Sequence, residues 1–456
     1  MKGAQPHGRT VVVGLGDSGL ACARHLRAHG VNVAIADSRP APPREQDARH
    51  SLPRVDIRLG AFDPDWFAGA VELVLSPGVS VDEPAVAHAA ARGVPILGEV
   101  ELFARAVHPP VVAVTGTNGK STVCAWVRAM AEAHGLQATL GGNFGPPALT
   151  LLDSRPDLHV VELSSFQLET TRSLRPRVAA LLNVSPDHLD RHRGFEAYRQ
   201  AKARIFANAK TAVLWRDDPW LEELGARLAG DGLRVLTFSA ERPGEGEYGL
   251  VSRSGRTWLA RGREHRVDAS ELALPGRHNA LNALAAMAIA DELGIESAAV
   301  RRVLGTGPGL AHRCEPVGCT GGVRWYDDSK GTNVGATVAA VNGFDAPLVL
   351  IAGGDGKGAD FRPLGRALRG SAERIREVVL LGRDAPAIRT LIEGHVPVSS
   401  VGTMAEAVSR AREAARPGDA VLLSPACASW DMYRDYRERG RDFRALVQGS
   451  GTGGAA

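Results

Sequence analysis

Short runs of apolar, β-branched residues recur along this chain, and most are followed by a turn and then by apolar positions at helical spacing. The first block holds TVVVGLG (10–16), NVAIAD (32–37), ELVLSPG (72–78) and VPILGE (94–99), and predicts one small doubly wound domain over residues 1–98. A fresh strand, VVAVTG (111–116), opens a second block with LHVVELS (158–164), VAALLNVS (178–185) and TAVLW (211–215). In that block the polar stretch at 240–270 alternates like a hairpin, and NALNALAAMAIADELG (279–294) predicts a closing helix, giving a domain over 99–309. A third set, RWYDDS (324–329), APLVLIAGG (346–354), EVVLLG (377–382) and DAVLLSPA (419–426), predicts a domain over 310–456. Strands alternating with helices throughout imply an α/β fold with mainly parallel sheets.

Composition adds limits. A chain of 456 residues is too long for one core, and three domains is the natural division. Lys and Arg number 54 against 51 Asp and Glu, a net charge of +3 that carries no nucleic-acid or membrane-surface footprint. The five cysteines (22, 124, 314, 319, 427) form no CxxC pair and no framework spacing, which suits a reducing cytoplasm. The opening MKGAQPHGRT has no apolar signal core, no run approaches the ~18 apolar residues of a spanning helix, and GSGTGGAA at the other end is expected to fray.

Two glycine loops compete to define the chemistry. Gly14-x-Gly16-x-x-Gly19, followed by a strand ending at Asp37, is what a dinucleotide-binding domain uses for a pyrophosphate and a ribose, and a nicotinamide oxidoreductase is the first reading. The second loop, VVAVTGTNGKST, is the stronger. Its glycines let backbone N–H groups approach phosphate oxygens, Lys120 reaches terminal phosphates, and Ser121 supplies a hydroxyl for Mg²⁺. Its first glycine, Gly116, sits late compared with the usual spacing. A triphosphate site there leaves the first loop free to hold a nucleotide-linked substrate, with Gly78 lining the same crevice. An oxidoreductase leaves the second loop and the third domain unexplained, and a non-catalytic scaffold leaves Lys120 and Glu162 without a purpose.

Further polar groups follow apolar strands. Glu162, Ser164 and Ser165 end one strand, and Asp187 and His188 follow another, the oxygen-rich company that Mg²⁺·ATP chemistry needs. His188 and His192 stand four apart, but with no cysteine or third histidine nearby zinc is not expected. Asp190, Arg191 and His192 are expected in solvent. Tyr198, Lys202 and Phe206 fall on one helical face, and by spacing alone Lys202 reads as a surface or salt-bridging lysine. The third block adds Arg313, Asp328, Lys330, Thr332, Lys357, Ser424, Ser429 and Tyr436, a set best explained by a substrate site and a closing lid.

TGTNGKST, ELSSFQLE, NVSPDHLDRH, GRHNALNALAA, HRCE, DDSKGTN, GGDGKGADF and LLSPACASWD, in this order, resemble the Mur ligases of peptidoglycan synthesis over residues 9–447. The resemblance implies a Rossmann-like nucleotide-sugar domain, a central P-loop ATPase-type domain and a Rossmann-like C-terminal domain that holds an amino acid. ELSSFQLE, GDGKGADF, SPACAS and the GLGDSG start imply the activity that joins D-glutamate to UDP-N-acetylmuramoyl-L-alanine, with ATP, two Mg²⁺ sites, small-molecule partners and a monomer.

It also implies roles residue by residue. Gly116, Thr117, Asn118, Gly119, Lys120, Ser121 and Thr122 hold the ATP phosphates, and Asn282, Arg313 and Asp328 contact the rest of ATP. Ser121, Glu162, Ser164 and His188 serve the metals, joined by Lys202 once CO₂ has turned its amine into a carbamate. Asp17, Ser18, Asp37, Ser38, Arg39, Gly78 and Asn143 match the nucleotide-sugar site, and Lys330, Thr332, Lys357, Ser429, Trp430 and Tyr436 the glutamate site. Lys120, Glu162, His188 and Lys202 are the expected catalytic set. Asp17 stands where the family pattern has an uncharged residue, and Trp430 and Tyr436 where it has an aliphatic residue and Phe.

Overall fold

The computed structural model describes residues 8–449 apart from 189–190, 275, 308 and 345. The expected fraying of the last residues, and the solvent exposure of Asp190, lie outside the described residues. Three sheets follow one another along the chain. The first is fully parallel, with Thr10–Val13 flanked by Val33–Asp37 and Glu72–Leu75, and with Asp56–Leu59 and Ile96–Gly98 at its edges. Its strands are apolar on both faces because helices cover both. Val12, Ile35 and Val74 meet Leu20, Ala23 and Leu26 of the helix Asp17–Ala28, while Val11, Val13 and Leu73 meet Trp66, Phe67 and Val86.

The second sheet has nine strands. Six of them, from Ala138–Gly142 at one edge through Leu158–Glu162, Val111–Thr115, Val178–Leu181 and Thr211–Trp215 to Arg234–Phe238, run parallel. The expected hairpin is a three-stranded antiparallel extension, Tyr248–Arg253, Arg256–Arg261 and Glu264–Asp268. The closing helix spans Arg277–Leu293 and stops at Gly294, which takes the left-handed conformation at φ 77. Its alanines at 283, 285, 286, 288 and 290 are wholly buried, so it lies close against the helix Lys120–Ala133 that follows the phosphate loop.

The third sheet orders Glu315–Thr320, Val323–Asp327, Ala420–Leu423, Leu348–Ala352, Ile375–Leu380 and Val398–Ser400, antiparallel only at the first pair. Five strands escape the sequence pattern: Asp56–Leu59, Ala138–Gly142, Arg234–Phe238, Glu315–Thr320 and Val398–Ser400. Four lie at sheet edges, and Arg234–Phe238 lies where the parallel sheet gives way to its antiparallel extension. All five have positions that are not buried, and they carry polar residues or glycine.

One apolar cluster runs without interruption from the first domain into the second, through Val100, Leu102 and Phe103 of the helix Glu99–Ala106 and through Leu149 and Leu151. Glu99 opens that helix. It is buried, takes the Leu149 N–H at 2.6 Å on Oε1, and has no partner for Oε2 among the described residues. Burial pushes its carboxyl up to about 7.

Candidate active site

Parallel strands deliver their loops to one edge, and the phosphate loop leaves Val111–Thr115 there. Gly119 has φ +83, and a Cβ on it would fall on the Asn282 amide, so the loop passes where only glycine fits. Lys120 Nζ donates to the carbonyls of Gly116 and Thr117, both at 2.8 Å. The loop's other face is pinned by an amide exchange: Asn118 N–H donates to Asn183 Oδ1 at 2.9 Å and Asn183 Nδ2 to Asn118 O at 3.0 Å. Thr117 Oγ1 meets Tyr198 Oη at 3.1 Å and takes the Ser185 N–H at 3.0 Å.

Beside the loop, Glu162 ends its strand buried, hydrogen-bonded by Ser121 Oγ and by Asn143 Nδ2 at 2.7 Å. Burial works against its charge, but Lys120 and Arg313 hold the carboxyl below its usual range. Burial pushes Lys120 down from its ordinary range, with the Glu162 charge opposing. Ser164 caps the short helix Ser165–Glu169 in a reciprocal arrangement with Gln167. His188 has φ 54 and packs its ring edge-on to Phe166, with Nε2 at 3.7 Å from Asp187 Oδ2.

Lys202 departs from the surface reading that spacing gave. Its side chain is buried, Nζ donates to Gly116 O at 2.9 Å, and it sits over the Tyr198 ring. Burial first, then the nearby Lys120 charge, push its ammonium well below the usual lysine range. Arg191 and His192 are also not in solvent. His192 is buried, with Nε2 at 2.9 Å from Ser165 Oγ, and its ring stacks on Phe166; Arg191 lies over the same ring and donates to Val79 O at 3.1 Å. Phe166 stands against both histidine rings.

Asn282 and Thr122 line a cavity of about 320 Å³ between the second and third domains. Its apolar walls are Trp215, Phe238, Leu274 and Ala339, and Asn279, Arg313 and Asp328 give it polar groups, the mix that holds a nucleoside. Arg313 Nη2 donates to Ser121 Oγ at 2.7 Å across the domain boundary. Asp328 accepts from Ser424 Oγ at 2.7 Å and from Cys314 N at 3.2 Å, and burial raises its carboxyl to about 7.

On the third domain Lys330 Nζ lies 4.2 Å from the Tyr436 ring centre, and burial lowers its ammonium to about 8. Thr332 stands two residues on, with its N–H on Lys330 O at 2.8 Å. Lys357, at φ 52, reaches back to Asp187 Oδ1 at 3.2 Å, and Asn333 bridges Asn118 and Asp187. Ser429 is buried, whereas Trp430 beside it is 65% exposed. Neither the Asp187–Lys357 pair nor the Asn333 bridge announces itself in the sequence. The polar ends of NVSPD and DDSKGTN are the nearest signal.

In the first domain the Asp37 carboxylate is turned inward. It takes Leu15 N–H at 2.6 Å and Arg39 at 2.7–2.9 Å, so it fixes the glycine loop and aims the half-exposed Arg39. Ser38 lies between them, exposed, and Gly78 is also exposed, in the turn after the fourth strand. Asp17 and Ser18 begin the first helix, and Asp17 is neutralised by Arg44 at 2.5 Å.

The comparisons with known proteins agree with this layout. Residues 8–98 match the model for the Mur ligase MurD-like N-terminal domain, 114–290 that for the Mur ligase middle domain, and 312–427 that for the Mur ligase glutamate ligase domain. The UDP-N-acetylmuramoylalanine–D-glutamate ligase of Nitrosococcus oceani is 48% identical over 442 residues, 96% of each chain. That of Marinobacter nauticus is 48% identical over 444, covering 97% of this chain and 98% of its own. The solved UDP-N-acetylmuramate–alanine ligase of Thermotoga maritima shares the fold at a TM-score of 0.62 and 21% identity, over 97% of this chain and all of its own. The chain belongs to the Mur ligase family.

Proposed function

We propose that this chain joins D-glutamate to the alanyl carboxylate of UDP-N-acetylmuramoyl-L-alanine at the expense of ATP. The observation that carries this reading is that the third domain meets the phosphate loop of the second: Arg313 bonds Ser121 beside Glu162, Lys357 pairs with Asp187, and Arg313 and Lys330 line one cavity with Asn118, Gly119 and Thr122. Domain limits at 98/99 and 309/310 follow, with the nucleotide sugar on the first domain.

A carboxylate has no leaving group. Its oxygen attacks the γ-phosphorus, ADP departs, and the glutamate amine then displaces phosphate from the acyl phosphate to form the amide. Two anions must meet, so electrostatics dominates. Lys120 and Arg313 offset the triphosphate charge, and Asn282 and Asp328 hold the nucleoside. Arg39, with Asp37, Ser38, Asp17, Ser18, Gly78 and Asn143, holds the nucleotide sugar. Lys330, Lys357, Thr332, Ser429, Trp430 and Tyr436 hold glutamate.

A buried carboxylate bonded to a hydroxyl is a hard-oxygen pair suited to Mg²⁺. Ser121, Glu162, Ser164, His188 and carbamylated Lys202 would hold two such ions, which when bound neutralise phosphate charge. The depressed Lys202 ammonium favours the neutral amine that CO₂ requires. The enzyme works as a cytoplasmic monomer on small molecules.

The test is phosphate release from ATP with the nucleotide sugar and D-glutamate supplied separately, together, and with L-glutamate. Release that needs the nucleotide sugar and D-glutamate together is expected. Equal release with L-glutamate removes the stereochemical part, and no release with any pairing overturns the reading.

A further inference from the structure

The third domain buries a guanidinium that the reaction scheme does not use. Arg439, on the helix Tyr436–Gln448, is 3% exposed, and among the described residues no carboxylate lies within hydrogen-bonding distance of it. Its partners are oxygens on two loops. Nε donates to Ser329 Oγ at 3.0 Å and Nη2 to Ser329 O at 2.8 Å; Nη2 also reaches Cys427 O at 3.1 Å and Nη1 reaches Ala428 O at 3.3 Å. Ser329 Oγ in turn donates a hydrogen bond to Tyr436 O at 2.8 Å.

These loops carry the glutamate groups. Ser329 precedes Lys330, whose ammonium rests on the Tyr436 ring, and Ala428 precedes Ser429. Burying a guanidinium is costly unless its N–H groups are met, and here a rigid planar fork spans two loops in a way that a lysine's point charge does not. Asp328, on the ATP side of Ser329, has separate anchors. Its carboxylate is held by Ser424 and Cys314 N, and its N–H by Leu423 O at 2.8 Å.

We infer that Arg439 is a positioning residue for the amino-acid substrate: its fork fixes the 329–330 and 427–429 loops against each other, and so sets the spacing of the groups that grip glutamate, while the nucleotide side is held independently. This inference rests on the proposed ligase activity.

The test is steady-state kinetics of R439K and S329A, with KM for each of the three substrates and a thermal midpoint for each protein. Arg439→Lys keeps the charge and loses the span; Ser329→Ala removes one acceptor for Arg439 and one donor to Tyr436 O, and is the milder change should the first fail to fold. Misplacement of binding groups by about an ångström costs as much as ~100-fold. The expected result is a rise of about 10-fold or more in KM for D-glutamate in R439K and a smaller rise in S329A, with KM for ATP and the nucleotide sugar within about twofold of the parent. Unchanged KM for glutamate in either folded variant overturns the inference, as does an equal loss for all three substrates. Failure of the parent protein to use D-glutamate at all sinks the ligase reading instead, and is recognised in the control.

Discussion

At the residue scale, Lys202 shows how burial changes the character of an ordinary side chain. A solvated lysine is an ammonium at neutral pH and inert toward CO₂. Packed over Tyr198 and hydrogen-bonded to Gly116 O, Lys202 is held well below that range. Protein equilibrated with ¹³C-bicarbonate at pH 8 is therefore expected to show one carbamate carbon by NMR that is missing from K202R and fades on acidification. K202R is expected to lose at least 100-fold in turnover, in line with removal of a group that organises transition-state charge. A parent spectrum without the carbamate signal removes the modification from the scheme. Spacing alone read this residue as a surface lysine because its partner lies 86 positions away, and only the family resemblance singled it out. Arg439 and His192 were hidden for the same reason, since local spacing reports a helix face and not what the face packs against. Lys120, Ser121 and Glu162 were legible because strand, loop and helix are contiguous there, and the phosphate chemistry dictates their types.

At the scale of elements, the helix Lys120–Ala133 starts from a glycine whose conformation and crowding act together. Gly119 holds φ +83 and leaves no room for a Cβ beside Asn282. Gly119→Ala is expected to cost about 1–2 kcal/mol of stability through the left-handed backbone. It is also expected to raise KM for ATP while leaving that for glutamate unchanged, as chemical denaturation and initial rates would show. An unshifted KM for ATP means that the loop adapts and that Asn282 is not set by this contact. Element types in the parallel cores followed from apolar runs. The edge strands did not, because a strand solvated on one face, such as Asp56–Leu59, reads as turn composition.

Across the whole molecule, the first two domains are joined by a shared apolar core with one acid inside it. The Glu99 carboxyl titrates near 7 when folded against the usual 4.5, so the folded state binds more protons than the unfolded one between those values. Its contribution to stability is thus intact below about 4.5, is lost as pH rises through about 7, and changes no further once both states are ionised. Glu99→Gln keeps the acceptor for Leu149 N–H without a charge. It is expected to stabilise the protein by up to about 3 kcal/mol at pH 8 and by little at pH 5, read from denaturant midpoints. Equal midpoints at pH 8 would mean that the junction tolerates the ion.

The order of strands also bears on how the chain is made. The first sheet is assembled around its earliest strand, Thr10–Val13, so each later strand has a template when it leaves the ribosome. The third sheet has its late strand, Ala420–Leu423, between Val323–Asp327 and Leu348–Ala352. Until it is made, Val323–Asp327 is paired only to Glu315–Thr320 and Leu348–Ala352 only to Ile375–Leu380, each with one edge open; about seventy residues separate Leu348–Ala352 from its missing neighbour, roughly 4–14 s of synthesis at ~5–20 residues per second. The sheet of the domain proposed to receive glutamate is thus completed only by its last strand, and a nascent chain has no complete cleft until that strand arrives.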